Sequence, residues 1–122
     1  MLIVTTPLLE GRPIRLYLGL VHGETILGAN LFRDLLASVR DVVGGRARAY
    51  ESTLQRAREM AIEEMARRAR LLGADAVVGV RIDVEVLGRA GGMLMACATG
   101  TAVNLAPPQP VPLPPPPRPP AS

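Results

Sequence analysis

Apolar residues recur every third or fourth position through Tyr50, Leu54, Ala57, Ala61, Met65, Ala69 and Leu72, which predicts a helix from about Ala49 to Leu72. Gly73 follows as its stop, because glycine readily takes the left-handed turn that ends a helix. On the far side Glu63 and Glu64 precede Arg67 and Arg68 by four residues, the favourable order for ion pairs on a solvated surface. An earlier stripe, Leu31, Leu35, Leu36, Val39, Val42 and Val43, predicts a first helix capped by Asn30 and ended by Gly44-Gly45.

Elsewhere the pattern has the period of strands. Leu2 to Thr6 is a short run stopped by Pro7, and Glu10-Gly11-Arg12 reads as a turn. Pro13 to Val21 alternates Ile14, Leu16 and Leu18 with Arg15 and Tyr17. Ala76 to Val86 sets Val78, Val80, Ile82, Val84 and Val86 against Arg81, Asp83 and Glu85, so one of its faces is wet. Beyond a turn at Gly88 to Gly92, the strand from Met93 to Leu105 is apolar or small on both faces, Met93/Met95/Cys97 and Leu94/Ala96/Ala98. The expected fold class is α+β, a small four-stranded sheet with two helices on one face. Helices on one face leave the other face of the last strand in water, so copies of the same chain are expected to cover it in a symmetric homo-oligomer.

Composition separates two regions. Residues 1–106 form the expected domain, and residues 107–122 hold ten of the twelve prolines, an extended polyproline II tail without a core of its own. Leu113-Pro114-Pro115-Pro116-Pro117 resembles a ligand for an aromatic groove, but Leu113 stands where the frame completed by Arg118 needs a proline. Only three residues are aromatic, Tyr17, Phe32 and Tyr50, so the interior is filled by aliphatic side chains, alanine and methionine.

Charge adds little. Fourteen arginines, no lysine and eleven acids leave a net charge of +3. Arginine and glutamate alternate along one helix without an aromatic platform, which argues against nucleic acid as a partner. A single cysteine excludes an intrachain disulfide, the N-terminus lacks the pattern of a leader, and no apolar run approaches the roughly 18 residues that span a bilayer. A cytoplasmic protein without a membrane partner is expected.

Candidate chemistry is sparse. There is no Gly-x-Ser-x-Gly, no phosphate loop followed by Lys and Ser/Thr, and no His-Glu-x-x-His, and the chain is expected not to be an enzyme. Cys97 lies in an apolar strand, where an inert thiol is the ordinary outcome. Met93, Met95 and Cys97 share a face and present sulfur, which suits a soft metal ion, although side chains two apart on a strand start about 7 Å from each other. Copies of one strand around an axis could converge where one chain cannot. Asp83 and Glu85, with Glu24 or His22 nearby, could hold a harder cation. Core packing by methionine and a solvated acidic face are the ordinary alternatives. A second reading is a scaffold or binder of a small anion or ligand in an intersubunit pocket, with Arg46, Tyr50 and Arg58 near Gly44-Gly45.

Several blocks recur in order: Tyr17-Leu18-Gly19, Gly23-Glu24-x-Ile26-x-Gly28-Ala29-Asn30, Asp41-x-x-Gly44-Gly45-Arg46 and Tyr50-Glu51. Ala57-Arg58, Gly73-Ala74-x-Ala76-Val77-Val78-Gly79, Asp83, Glu85, Gly91-Gly92-Met93-Leu94-Met95 and Gly100-Thr101-Ala102-Val103 continue them. Together these blocks resemble the YbjQ-like family over residues 1 to about 105, with the proline tail outside. The resemblance implies an α/β subunit of a ring-shaped homopentamer and a family labelled "putative heavy-metal-binding domain", with a heavy-metal ion as the implied cofactor. The family pattern supplies no paired Cys or His here, and neither Cys97 nor His22 matches it.

Overall fold

The computed structural model describes residues 1–28, 45–87, 93–108 and 114–120. The predicted first helix at 31–43 and the turn at 88–92 lie outside the described residues. Within them the chain is α+β, with strands β1 (Leu2–Ile3) and β2 (Ile14–Leu27), helix α1 (Gly45–Leu71), and strands β3 (Ala76–Leu87) and β4 (Met93–Leu105). The strands form one mixed sheet in the order β1-β3-β4-β2, with β1 parallel to β3 and β4 antiparallel to both of its neighbours.

Two boundaries differ from expectation. Gly45 begins α1, four residues before the expected start at about Ala49. β2 runs on past Val21 to Leu27, because Gly23 sits inside the strand and not at a break. The reason is packing. A Cβ on Gly23 would fall on the main-chain oxygen of Ala61 and 2.5 Å from the nitrogen of Met65. The bare glycine therefore lets α1 lie directly on β2.

The middle of the predicted helical stripe is the face that packs, whereas Leu72 at its end lies past the helix and is half exposed. Ala57, Ala61, Met65 and Ala69 are fully buried against Val21, Leu27, Leu94, Ala96, Ala98 and Ala102. Mostly alanine on the helix side suits so close an approach, and Met65 and Leu94 supply the bulk. Gly73 (φ 80°) ends the helix as expected: its N–H donates to the Arg70 carbonyl and that of Ala74 to the Ala69 carbonyl, the paired bonds of a Schellman stop. The helix-surface ion pairs regroup. Glu64 meets both Arg67 (2.6 Å) and Arg68 (3.4 Å), and Arg67 bonds Glu64 rather than Glu63.

A bulge reshapes β3. Its register slips between Val78 and Arg81, where Gly79 has φ 61°. Val78 and Val80 thus join different cores, Val80 under α1 and Val78 on the opposite side with Ala76, Val103 and Leu105. That second core is covered by Val4, Leu9 and Ile14. Both faces of β4 are therefore apolar, as its composition requires, but the segment before β2 covers only one end of the face turned away from α1.

Pro107, Pro108 and residues 114–120 have no regular structure and are exposed. No helix among the described residues is long and apolar enough to cross a membrane.

Candidate functional site

The part of this face that no described residue covers is built by the three long strands in register. His22, Thr99 and Arg81 form one cross-strand row, Glu24, Cys97 and Asp83 the next, and Ile26, Met95 and Glu85 the third. Directly opposed residues on neighbouring strands project from the same face, with Cα atoms about 4.5–5.5 Å apart. Alternation assigns the complementary residues, Gly23, Thr25, Leu27, Ala96 and Ala98, to the side under α1, and all of these are buried. The three sulfur positions differ in cover: Met93 is exposed, while Met95 and Cys97 are half-buried.

The neighbours in the middle row act on the Cys97 thiol. Burial raises the Cys97 thiol above its ordinary pKa, and the carboxylates of Glu24 and Asp83 raise it further by disfavouring the thiolate. Arg81 Nε lies 3.5 Å from Asp83 Oδ1, an exposed pair worth at most about 1 kcal/mol. Such a contact yields easily to a stronger partner.

All four predicted metal candidates, Met93, Met95, Asp83 and Glu85, share this face, and Glu85 stands opposite Met95. Met93 lies at the margin, paired with Leu87, two rows from Asp83. The arrangement is a set of rows and not a cage: among the described residues no three His, Cys, Asp or Glu side chains group closely enough to hold a metal ion. Sequence reasoning missed that Cys97, treated as an inert core thiol, stands between two carboxylates. The signal was the alternation Gly23, Glu24, Thr25, Ile26, Leu27, which continues the strand pattern past the apparent stop at Gly23.

The residues of the second reading do not converge in the same way. Arg46 and Tyr50 occupy the first two turns of α1, where only the backbone is described. Arg58 is exposed on the same helix, about 18 Å further along its axis than Arg46. A different concavity, about 280 Å³, is lined by Leu8, Leu9, Gly11, Arg12, Pro13, Ile14 and Tyr17. Beside it Arg12 Nη2 donates to the Ala106 carbonyl at 3.5 Å, while its Nε is buried without a partner among the described residues.

The fold recurs in a crystal structure from Pediococcus pentosaceus ATCC 25745, a protein of unknown function from the DUF74 family. It is 18% identical, with a TM-score of 0.60 over 87% of this chain and 98% of that one. At that identity the likeness concerns the fold alone. A family model described as "YbjQ_1: Putative heavy-metal-binding" matches residues 1–106, which takes in all four strands and α1 and stops at the foot of the proline tail. With a match over that span, the chain belongs to the YbjQ family.

Proposed function

We propose that this chain is a non-enzymatic cytoplasmic subunit that assembles with copies of itself, as a homopentameric ring, and binds heavy-metal ions on the sheet face turned away from α1. One observation carries the metal reading: Cys97 is flanked in register by Glu24 and Asp83, with Met95 and Glu85 in the next row. A thiol and a thioether suit soft and borderline ions, and the adjacent carboxylates add charge that a cation neutralises. The family description points the same way. Because the donors of one copy lie in rows, a closed coordination sphere draws on more than one subunit.

The sequence supports the rest of the reading. The apolar spacing of residues 31–43 predicts a second helix beside α1, the far side of β4 needs cover, and a lone thiol fits a reducing compartment. Binding requires the thiolate, and the proton on Cys97 is held firmly, so metal uptake releases a proton and weakens as the pH falls.

Calorimetric titration of the assembled protein with copper(I), zinc and nickel tests the proposal. A stoichiometric heat is expected with at least one ion, reduced in Cys97→Ser and Met95→Leu; no such heat with any of the three overturns it. The competing reading, a binder of small anions or ligands, rests on the exposed Arg58 of α1 and on the concavity beside Arg12. Native mass spectrometry separates the two, since a retained organic molecule or anion favours the second and a retained metal the first.

A further inference from the structure

The segment before β2 builds a concavity at the far end of the sheet from Cys97. Glu10-Gly11 makes a tight turn, in which Gly11 takes φ 78° and the Arg12 N–H donates to the Leu9 carbonyl at 3.2 Å. Leu8 and Leu9 before the turn, with Pro13, Ile14 and Tyr17 after it, line a space of about 280 Å³. Leu8 is 64% exposed and Tyr17 63%, so the outer walls are apolar and open to solvent. Tyr17 stands opposite Val103, six residues along β4 from Cys97, roughly 20 Å from the row proposed for metal. The concavity is therefore a separate place on the molecule.

Arg12 gives this apolar space a charge. Its Nη2 reaches the Ala106 carbonyl at 3.5 Å, a long bond, and its Nε is buried without a partner among the described residues. Nε and Nη2 share one edge of the planar guanidinium, an edge that takes both oxygens of a carboxylate side by side. A covered charged donor is costly to leave unpaired, so an anion that reaches this edge replaces one long bond and one unmade bond with two good ones. Ala106 stays in place when its bond to Arg12 yields, because its own N–H donates to the Pro13 carbonyl at 2.8 Å. Arg15 adds a second cation. It acts with Arg12 on the carboxylate of Asp75, whose Oδ2 is already engaged by the Leu105 N–H. Two guanidiniums against that one carboxylate leave positive charge in excess, and Glu10 of the turn is not among the lining residues.

We infer that this concavity binds a small hydrophobic carboxylic acid, with the carboxylate on the Nε and Nη2 edge of Arg12 and the apolar body against Leu8, Ile14 and Tyr17. Volume decides the size: the space lies just below the roughly 300–1,000 Å³ of ordinary ligand pockets, which suits an aromatic or short aliphatic acid and not a nucleotide. The walls decide the class. Acetate or inorganic phosphate would satisfy Arg12 but leave the apolar walls in water, whereas a neutral apolar molecule would leave the guanidinium edge unpaired. The inference rests on the competing ligand reading and not on metal binding. It moves that reading from Arg46, Tyr50 and Arg58, which do not converge, to Arg12 and names the chemistry that the place accepts.

Titration of the full-length protein with benzoate and with hexanoate, followed through the arginine Nε–H signals by heteronuclear NMR, tests this. The Arg12 signal is identified by its loss in Arg12→Lys. A saturable shift of that signal is expected, with a Kd at least about tenfold lower for either acid than for acetate, phosphate or benzyl alcohol. Leu8→Asp places a negative charge on an exposed wall without touching the core, and should weaken benzoate by at least about tenfold even if Arg12→Lys disturbs the fold. No saturable shift with either acid at millimolar concentration overturns the inference, as does equal affinity for acetate or phosphate. Benzoate binding that is unchanged in Leu8→Asp puts the ligand elsewhere, which sinks this site and leaves the ligand reading standing. Contacts from the tail prolines to the Tyr17 ring in the ligand-free protein would give the concavity to the chain's own tail and likewise overturn the assignment. None of these outcomes bears on the metal reading, which the calorimetric titration decides separately.

Discussion

Arg68 reaches back from α1 to donate a 2.9 Å hydrogen bond to the main-chain carbonyl of His22, the residue just before Gly23 in β2. The bond clamps helix to strand at the point where the missing Cβ permits contact. Gly23→Ala puts a methyl group against the backbone of Ala61 and Met65, which cannot move without displacing buried side chains. A loss of about 1–3 kcal/mol is expected, read as a lower urea midpoint at unchanged slope. An unchanged midpoint would show that α1 does not lie on β2 in this way.

Leu94 is 1% exposed and packs in the core under α1, whereas Leu71 at the end of the helix is 75% exposed. Leu94→Ala should cost about 2–5 kcal/mol. Leu71→Ala should stay within about 0.5 kcal/mol of the parent. Thermal unfolding of the two variants side by side gives the comparison, and similar losses would contradict the assigned core.

Asp75 fastens the end of β4. Its Oδ2 accepts the N–H of Leu105 at 2.9 Å, and that bond, with help from Asn104, Arg12 and Arg15, holds its carboxyl below the ordinary range. Because the folded-state value is the depressed one, the contribution is present at neutral pH and disappears as the pH falls through that value. Asp75→Ala should therefore lower Tm at pH 7, with the gap from the parent narrowing in acid. A gap that widens in acid would reverse the assigned sign.

Cys97 is held protonated by burial and by two carboxylates. Removing either negative charge favours the thiolate, so Glu24→Gln or Asp83→Asn should speed alkylation by iodoacetamide at pH 8 by roughly threefold. Slower alkylation in both variants would mean that the carboxylates do not act on the thiol.

Period-based reasoning located α1, β3 and β4 because each has a repeat longer than its interruptions, such as Ala57-Ala61-Met65-Ala69 in the helix. It ended β2 too early because a glycine within a strand looks like a turn until the helix backbone beneath it is known. It also read Val78 and Val80 as sharing one face. The bulge at Gly79 separates them, and a bulge inserts a residue without leaving a periodic trace. The candidate face was half legible: alternation groups Met93, Met95 and Cys97, and separately Asp83 and Glu85.

From the amino-acid order alone came the α+β class, the alternation of β4, the Gly73 stop and the need to cover both sides of β4, since these follow from local periodicity and backbone preference. Only the tertiary structure decided that β4 lies between β2 and β3, because strand order is a matter of long-range pairing that no local pattern encodes. That order sets Cys97 between Glu24 and Asp83.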